Sequence, residues 1–358
     1  MARRKESYIF TSEKKKSGFF GNFLMVVLML LAVAITCILL NVASNSKVLL
    51  NQEKVSIMSL DKTYEGFSVL HISDLQASSM GQDYDTWKGL LNAKTYHAVV
   101  LSGDMVGLTG DYAPLVSLIG ILTELNAKAP IYFVAGDEDP APIVSTVTTS
   151  ELAPWVQEAQ KAGAIYLDAP ISQAVGKKTV WFVPEYLYSI DASGMASVLE
   201  VQKTNMEADG KQYDMQGAEA YQSLGQRIDT MNKTTEAIKT MLSTDIQIAV
   251  SHVPLDSDYI RTSLEWADTE KVFNFRNISL LLAGHYCGGQ WRVPRQGPLY
   301  VPEFGWMPED DGIVGMQRVN SINQYISGGI GASDIYPMKG RMFNTPSITI
   351  LKLTARIE

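Results

Sequence analysis

Five short apolar runs constrain this chain more than any other feature: FSVLHIS (67–73), HAVVLSG (97–103), IYFVAG (131–136), IQIAVSH (246–252) and ISLLLAGH (278–285). Each is rich in aliphatic residues, continuous rather than alternating, and too short for a helix of its own. That is the pattern of a strand buried on both faces. Segments of helical character lie among them at 84–93, 112–125 and 150–162, and strands alternating with helices predict an α/β fold. NQYISGGIGAS and SITILKLT read as closing strands, the second with the alternation of a sheet that has one wet face. From about 190 to 244 the composition shifts to Gln, Met, Ala, Lys and Thr with roughly helical apolar spacing, which predicts a helical insertion.

Each run ends in, or is followed directly by, a potential metal ligand: Asp74, Asp104, Asp137, His252 and His285. Any one of them alone reads as a helix cap, a turn residue or a satisfied core group. Five in series, at the strand ends where open α/β sheets build their sites, point to a metal centre. Carboxylates mixed with imidazoles suit Zn²⁺, Mn²⁺ or Fe²⁺ better than Ca²⁺, which takes oxygen ligands. Gly103, Gly136 and Gly284 each precede a candidate ligand, where the chain must turn sharply and let backbone approach an ion. His71, inside a run, and His97, at the entrance to one, read as structural.

The stretch FLMVVLMLLAVAITCILL (23–40) carries no charge and has about the length that crosses a bilayer core. A cleavable signal peptide is the competing reading, and VAS at 42–44 loosely resembles a cleavage site, but such apolar regions usually run only ~7–15 residues. A retained anchor at 19–42 is preferred. Arg3, Arg4, Lys5, Lys14, Lys15 and Lys16 precede it against Glu6 and Glu13, so the positive-inside rule places the 1–18 head in the cytoplasm. Outside the membrane would follow a linker at 43–60 and a main domain at 61–358. The head carries a net +4 against a formal −8 for the chain, which leaves −12 beyond it. That balance argues against nucleic acid or an anionic-lipid patch as the main partner. Cys37 and Cys287 are the two cysteines, so no intrachain disulfide framework is expected.

The blocks HISDLQ, VVLSGDMVG, FVAGDEDP, AVSHVP, LLAGHYCGGQWRVP, YISGGIG and FNTPSITILKL, in this order over 67–353, resemble the calcineurin-like metallophosphoesterase family in its membrane-anchored bacterial branch. The resemblance implies a metallophosphoesterase-type β-sandwich flanked by helices (α/β/β/α), preceded by one N-terminal transmembrane helix. It also implies two metals bridged by the second Asp of the pattern D-x-H, G-D, G-N-H-D/E, His, G-H-x-H. Asp74, Asp104, His252 and His285 match that pattern. Gln76 stands where the family has His, Asp137 replaces Asn, Glu138 replaces the His that assists the leaving group, and Cys287 replaces the final His. The site implied by Asp104, Asp137, His252 and His285 keeps a full set of ligating types, whereas the one implied by Asp74, Gln76, Asp104 and Cys287 is weakened. A thiolate binds Zn²⁺ well, so Cys287 reads either as a soft ligand or as a turn residue. Asp74, Asp104, Asp137 and Glu138 bring four negative charges, which two divalent ions would only neutralise; phosphate would then be held less well unless a carboxyl is protonated.

The function these features imply is a membrane-anchored metal-dependent phosphohydrolase of the cell surface, with one or two Mn, Zn or Fe ions. Its substrate would be a phosphodiester, phosphomonoester or pyrophosphate, on a small molecule or an envelope lipid or polymer. Water activated at the metal would attack phosphorus in line, with Glu138 and His252 as candidate catalytic residues, Glu138 as a general acid only when protonated. The alternative is a weakened or inactive relative that serves as a binding or regulatory module of the cell envelope.

Overall fold

The computed structural model describes residues 19–355, so the expected head at 1–18 lies outside the described residues. The chain divides into two units, Met1–Ser46 and Lys47–Glu358. In the first, Phe19–Asn45 is one helix of 27 residues, about 40 Å long at 1.5 Å per residue. It is long and apolar enough to span a membrane or to serve as a signal sequence. The helix runs past the expected limit at 42, because Val42, Ala43, Ser44 and Asn45 contain no breaker that would end it.

The second unit is mixed α/β with two six-stranded sheets. The first runs in the order Leu49–Ile57, Ser347–Ala355, Ser68–Ile72, Ala98–Ser102, Ile131–Val134, Ala164–Tyr166. All its pairings are parallel except that of Ser347–Ala355 with Ser68–Ile72. The second runs Gly315–Val319, Ile322–Ile326, Ile278–Ala283, Ile246–Val250, Lys178–Pro184, Ile171–Val175, parallel in its centre and antiparallel at both edges. The strands Ser68–Ile72, Ala98–Ser102 and Ile246–Val250 are buried at every position, which is why their sequences do not alternate.

Burial explains the layering. One core cluster packs Leu70, Val99, Leu101 and Phe133 of the first sheet against Trp87, Leu115, Leu118, Leu122, Trp155 and Val156 of three helices, Tyr84–Leu91, Ala113–Leu125 and Pro154–Lys161. A second cluster joins side chains of both sheets, among them Val69, Val100 and Tyr132 from the first and Phe182, Ile248 and Leu280 from the second. Within it the Tyr132 and Phe182 rings stack at 4.3 Å.

Three details differ from the sequence reading. Leu49–Ile57, inside the stretch read as a linker, is an edge strand paired with Ser347–Ala355 over its whole length; its polar centre, Asn51 to Lys54, suits an edge exposed to water. The helix expected at 150–162 begins only at Pro154, which fits the first helical position, while Ser150–Leu152 is a short strand paired with Ile143–Ser145. The hairpin of Ile171–Val175 with Lys178–Pro184 went unread. The stretch at 190–244 contains two helices, Ala192–Ala208 and Met215–Thr240, whose Leu199, Leu224 and Met231 pack with Trp181 and Val183 of the second sheet.

Candidate metal centre

All five strand-end residues stand just past the carboxyl ends of parallel strands. Asp74, Asp104 and Asp137 follow strands of the first sheet; His252 and His285 follow strands of the second. The connecting backbone is unusual: Asp74, Gln76, Asp104, His285 and Cys287 all adopt left-handed φ, from 46° to 77°. Such conformations cost on the order of 1–3 kcal/mol each and persist where surrounding structure fixes them. Here the Asp74 N–H donates to the Gly103 carbonyl at 3.0 Å, and the Gln76 N–H donates to that of Asp104 at 2.9 Å. Two glycines allow the loops to close on one another: a Cβ on Gly103 would lie 2.5 Å from His252 Nδ1, and one on Gly136 would lie 2.0 Å from Asp104 Oδ1.

Asp104, Asp137, His252 and His285 converge, each offering one ligand atom within 4.8 Å of the others. Asp104 is fully buried, and its Oδ1 accepts the Glu138 backbone N–H at 2.9 Å. His252 donates from Nδ1 to the Ser102 carbonyl at 2.8 Å. That bond fixes the tautomer and turns Nε2 inward, 2.8 Å from Asp137 Oδ1 and 3.2 Å from Asp104 Oδ2. Nε2 is buried, and these two carboxylate oxygens are what it faces. A lone pair aimed between two carboxylates is unfavourable unless a proton or a cation lies there, so the donor set fits a divalent ion. His285 approaches the same Asp137 oxygen, with Nδ1 3.0 Å from Asp137 Oδ1 and Nε2 3.0 Å from Glu303 Oε1. Two carboxylates and two imidazoles suit a borderline ion such as Zn²⁺, Mn²⁺ or Fe²⁺.

Without an ion, protons take its place. Burial disfavours charge on His252, but the carboxylates of Asp104 and Asp137 outweigh it and hold its pKa well above the ordinary value. Burial likewise opposes charge on His285, and Asp137 and Glu303 prevail, raising it to about 9. The same histidines hold the Asp137 carboxyl well below the usual carboxylate range.

The other candidates sit around this group rather than in it. Asp74 is buried; its Oδ1 accepts the His285 backbone N–H at 3.0 Å and its Oδ2 accepts the Ser73 hydroxyl. Burial pushes its pKa to about 6. Gln76 donates from Nε2 to Asp104 Oδ2 at 3.0 Å, so its amide is committed to one of the converging carboxylates. The Cys287 thiol is fully buried, with its pKa pushed well up by that burial, and a thiol is a ligand only as thiolate. Glu138 is buried too; its Oε2 has no hydrogen-bond partner, and burial raises its pKa. His71 and His97 lie elsewhere: His71 Nε2 meets Ser102 Oγ at 2.8 Å, and His97 Nδ1 accepts the Ser68 N–H at 3.0 Å.

Sequence reasoning missed two residues that build the centre. Asp139 ties its loops together, accepting the N–H groups of Val106 at 2.7 Å and of Gly107 and Gly136 at 2.9 Å. Its place in GDED was the available signal. Glu303 had none, since it comes from a loop with no periodicity of its own.

No protein-family model matches the chain, and no curated protein is similar to it. Among solved structures, the chain is similar to a phosphopantetheinyl hydrolase from Mycobacterium tuberculosis, with 10% identity and a TM-score of 0.34, over 75% of this chain and 91% of that one.

Proposed function

We propose that the chain is a membrane-anchored, metal-dependent phosphohydrolase of the calcineurin-like metallophosphoesterase type, with its two sheets layered as an α/β/β/α sandwich and its catalytic domain outside the cell membrane. The observation that carries this reading is the convergence of Asp104, Asp137, His252 and His285, with a buried His252 Nε2 facing both carboxylates. A divalent ion bound there supplies Lewis acidity toward a phosphoryl oxygen and lowers the pKa of water. Asp104 and Asp137 supply the charge that holds the cation, and His252 and His285 complete the ligand set. Glu138, buried and with its pKa raised by that burial, is the candidate general acid for the departing alkoxide and serves as one only when protonated. The substrate class is a phosphodiester, phosphomonoester or pyrophosphate.

A second reading has its own observation. The family's other metal position would need Asp74, Gln76, Asp104 and Cys287, yet Gln76 is already bonded to Asp104 and the Cys287 thiol is fully buried, with its pKa pushed well up by that burial. A protein left with one ion can serve as a binding or regulatory module of the envelope instead of an enzyme.

One experiment separates the two. The full chain, purified in detergent, is analysed for bound metal and assayed on bis(p-nitrophenyl) phosphate with Mn²⁺ and Zn²⁺. Turnover that disappears in Asp104→Asn supports the hydrolase. An inert protein that stays inert when Gln76→His, Asp137→Asn, Glu138→His and Cys287→His are combined ends that reading.

A further inference from the structure

A small hairpin reaches the metal centre from outside the two sheets. Tyr300–Val301 pairs antiparallel with Gly305–Trp306, and its tip carries Glu303. Glu303 Oε1 lies 3.0 Å from His285 Nε2, while the opposite nitrogen of that ring faces Asp137 at 3.0 Å. One imidazole is thus held between two carboxylates with different roles: Asp137 belongs to the converging group, and Glu303 stands outside it.

The tautomer follows. A carboxylate accepts and cannot donate, so in the ion-free protein each ring nitrogen that faces one carries a hydrogen, and a cation among the converging residues takes the place of the one on Nδ1 and leaves the one given to Glu303 on Nε2. A neutral imidazole has one N–H, and placing it on Nε2 leaves the Nδ1 lone pair pointing at the cluster. His252 reaches the same end with its nitrogens exchanged, Nδ1–H on the Ser102 carbonyl and Nε2 turned inward. Backbone contacts hold His285 only up to its Cα, through its N–H on Asp74. Rotation of the ring would still replace Nδ1 by carbon, and the Glu303 bond opposes that rotation.

We infer that Glu303 is a positioning residue of the metal centre, whose bond to His285 Nε2–H sets the tautomer and ring plane that make Nδ1 the ligand. The inference rests on the metal reading above. The hairpin is itself braced against the centre: Phe304 packs edge-on to Tyr286 at 5.4 Å, Tyr286 packs edge-on to His285 at 5.0 Å, and Trp306 meets Tyr300 at 5.1 Å. A carboxylate in this outer position also makes the imidazole more basic toward a metal.

The test compares the full chain in detergent with Glu303→Ala, Glu303→Gln and, as a control, Glu309→Gln, at an exposed residue beyond the hairpin. Mn²⁺ and Zn²⁺ affinities are measured by competition with a chromophoric chelator. Glu303→Ala weakens binding about 10- to 100-fold; Glu303→Gln, which keeps an accepting oxygen, restores most of it, and Glu309→Gln matches the wild type. Equal affinity in wild type and Glu303→Ala overturns the inference, as does a Glu303→Gln variant as weak as Glu303→Ala. Failure of the wild type to bind either ion overturns the metal reading itself. The positioning role is then decided by ¹⁵N NMR at a pH above the titration of the ring, which the same spectra locate. With only four histidines in the chain, the His285 signals are assigned with His285→Gln. An Nε2–H tautomer in the wild type that is lost in Glu303→Ala upholds the role, and an Nδ1–H tautomer in the wild type overturns it.

Discussion

His252 Nδ1 stands 2.8 Å from the carbonyl oxygen of Ser102, the last residue of a strand in the other sheet. This one bond decides what the imidazole can do: with the Nδ1 hydrogen committed to a carbonyl, the neutral ring presents its Nε2 lone pair to the space between Asp104 and Asp137. His252→Ala removes that lone pair and leaves two carboxylates unscreened. We expect ion affinity to fall about 100-fold or more, since changes one shell further out already cost 10- to 100-fold. Chelator competition checks this, and unchanged affinity would remove His252 from the ligand set.

Ion uptake should release protons. In the ion-free protein the neighbouring carboxylates keep His252 charged well above pH 6.5 and His285 charged up to about pH 9. A cation binds only the neutral rings, so binding at pH 7 releases about two protons, and affinity climbs as pH rises toward 9. Titration calorimetry in buffers of different ionisation enthalpy reads the number directly.

The same shift sets a stability profile for the chelator-treated protein. The folded pKa of His285 lies above its unfolded value, so its contribution is fully present below about pH 6.5 and is lost as pH rises through about 9. Urea midpoints at pH 6 and pH 10 should differ accordingly. In His285→Gln that part of the difference should vanish.

Asp74 and Cys287 lie outside the converging four. Asp74→Asn and Cys287→Ala should therefore leave one ion bound per chain with affinity changed only a few-fold. Equilibrium dialysis with metal analysis tests this; a second ion, lost in either variant, would restore the two-metal arrangement of the resembling family.

Glu185 offers a prediction away from the centre. It is 8% exposed, its Oε1 has no partner, and burial raises its pKa to about 7. For a carboxyl shifted upward, the cost of the charge is absent below about pH 4.5 and grows until pH passes 7. Glu185→Gln should thus stabilise the protein by on the order of 2 kcal/mol at pH 8 and by nothing at pH 4, measured by urea denaturation at both.

The ligands were legible because each follows an unbroken apolar run, and burial on both faces leaves such a run little other identity. The Leu49–Ile57 strand was not, since an edge strand with Asn51, Gln52, Glu53 and Lys54 at its middle carries the composition of a linker. Its partner strand, nearly 300 residues away in sequence, determines it. Glu303 was hidden for a related reason: two-residue strands have no period, and its meaning comes from a ring 18 positions earlier. Cys287 and Gln76 stood at motif positions, but motif position does not say whether a thiol is buried or an amide already bonded.

Asp104 and Asp137 come from the first half of the chain and the first sheet, His252 and His285 from the second half and the second sheet. A cation among them is therefore a rivet through both leaves of the protein. Whatever its catalytic value, it adds its binding free energy to folding by mass action, so scarcity of metal in the surroundings would be felt first as a looser molecule.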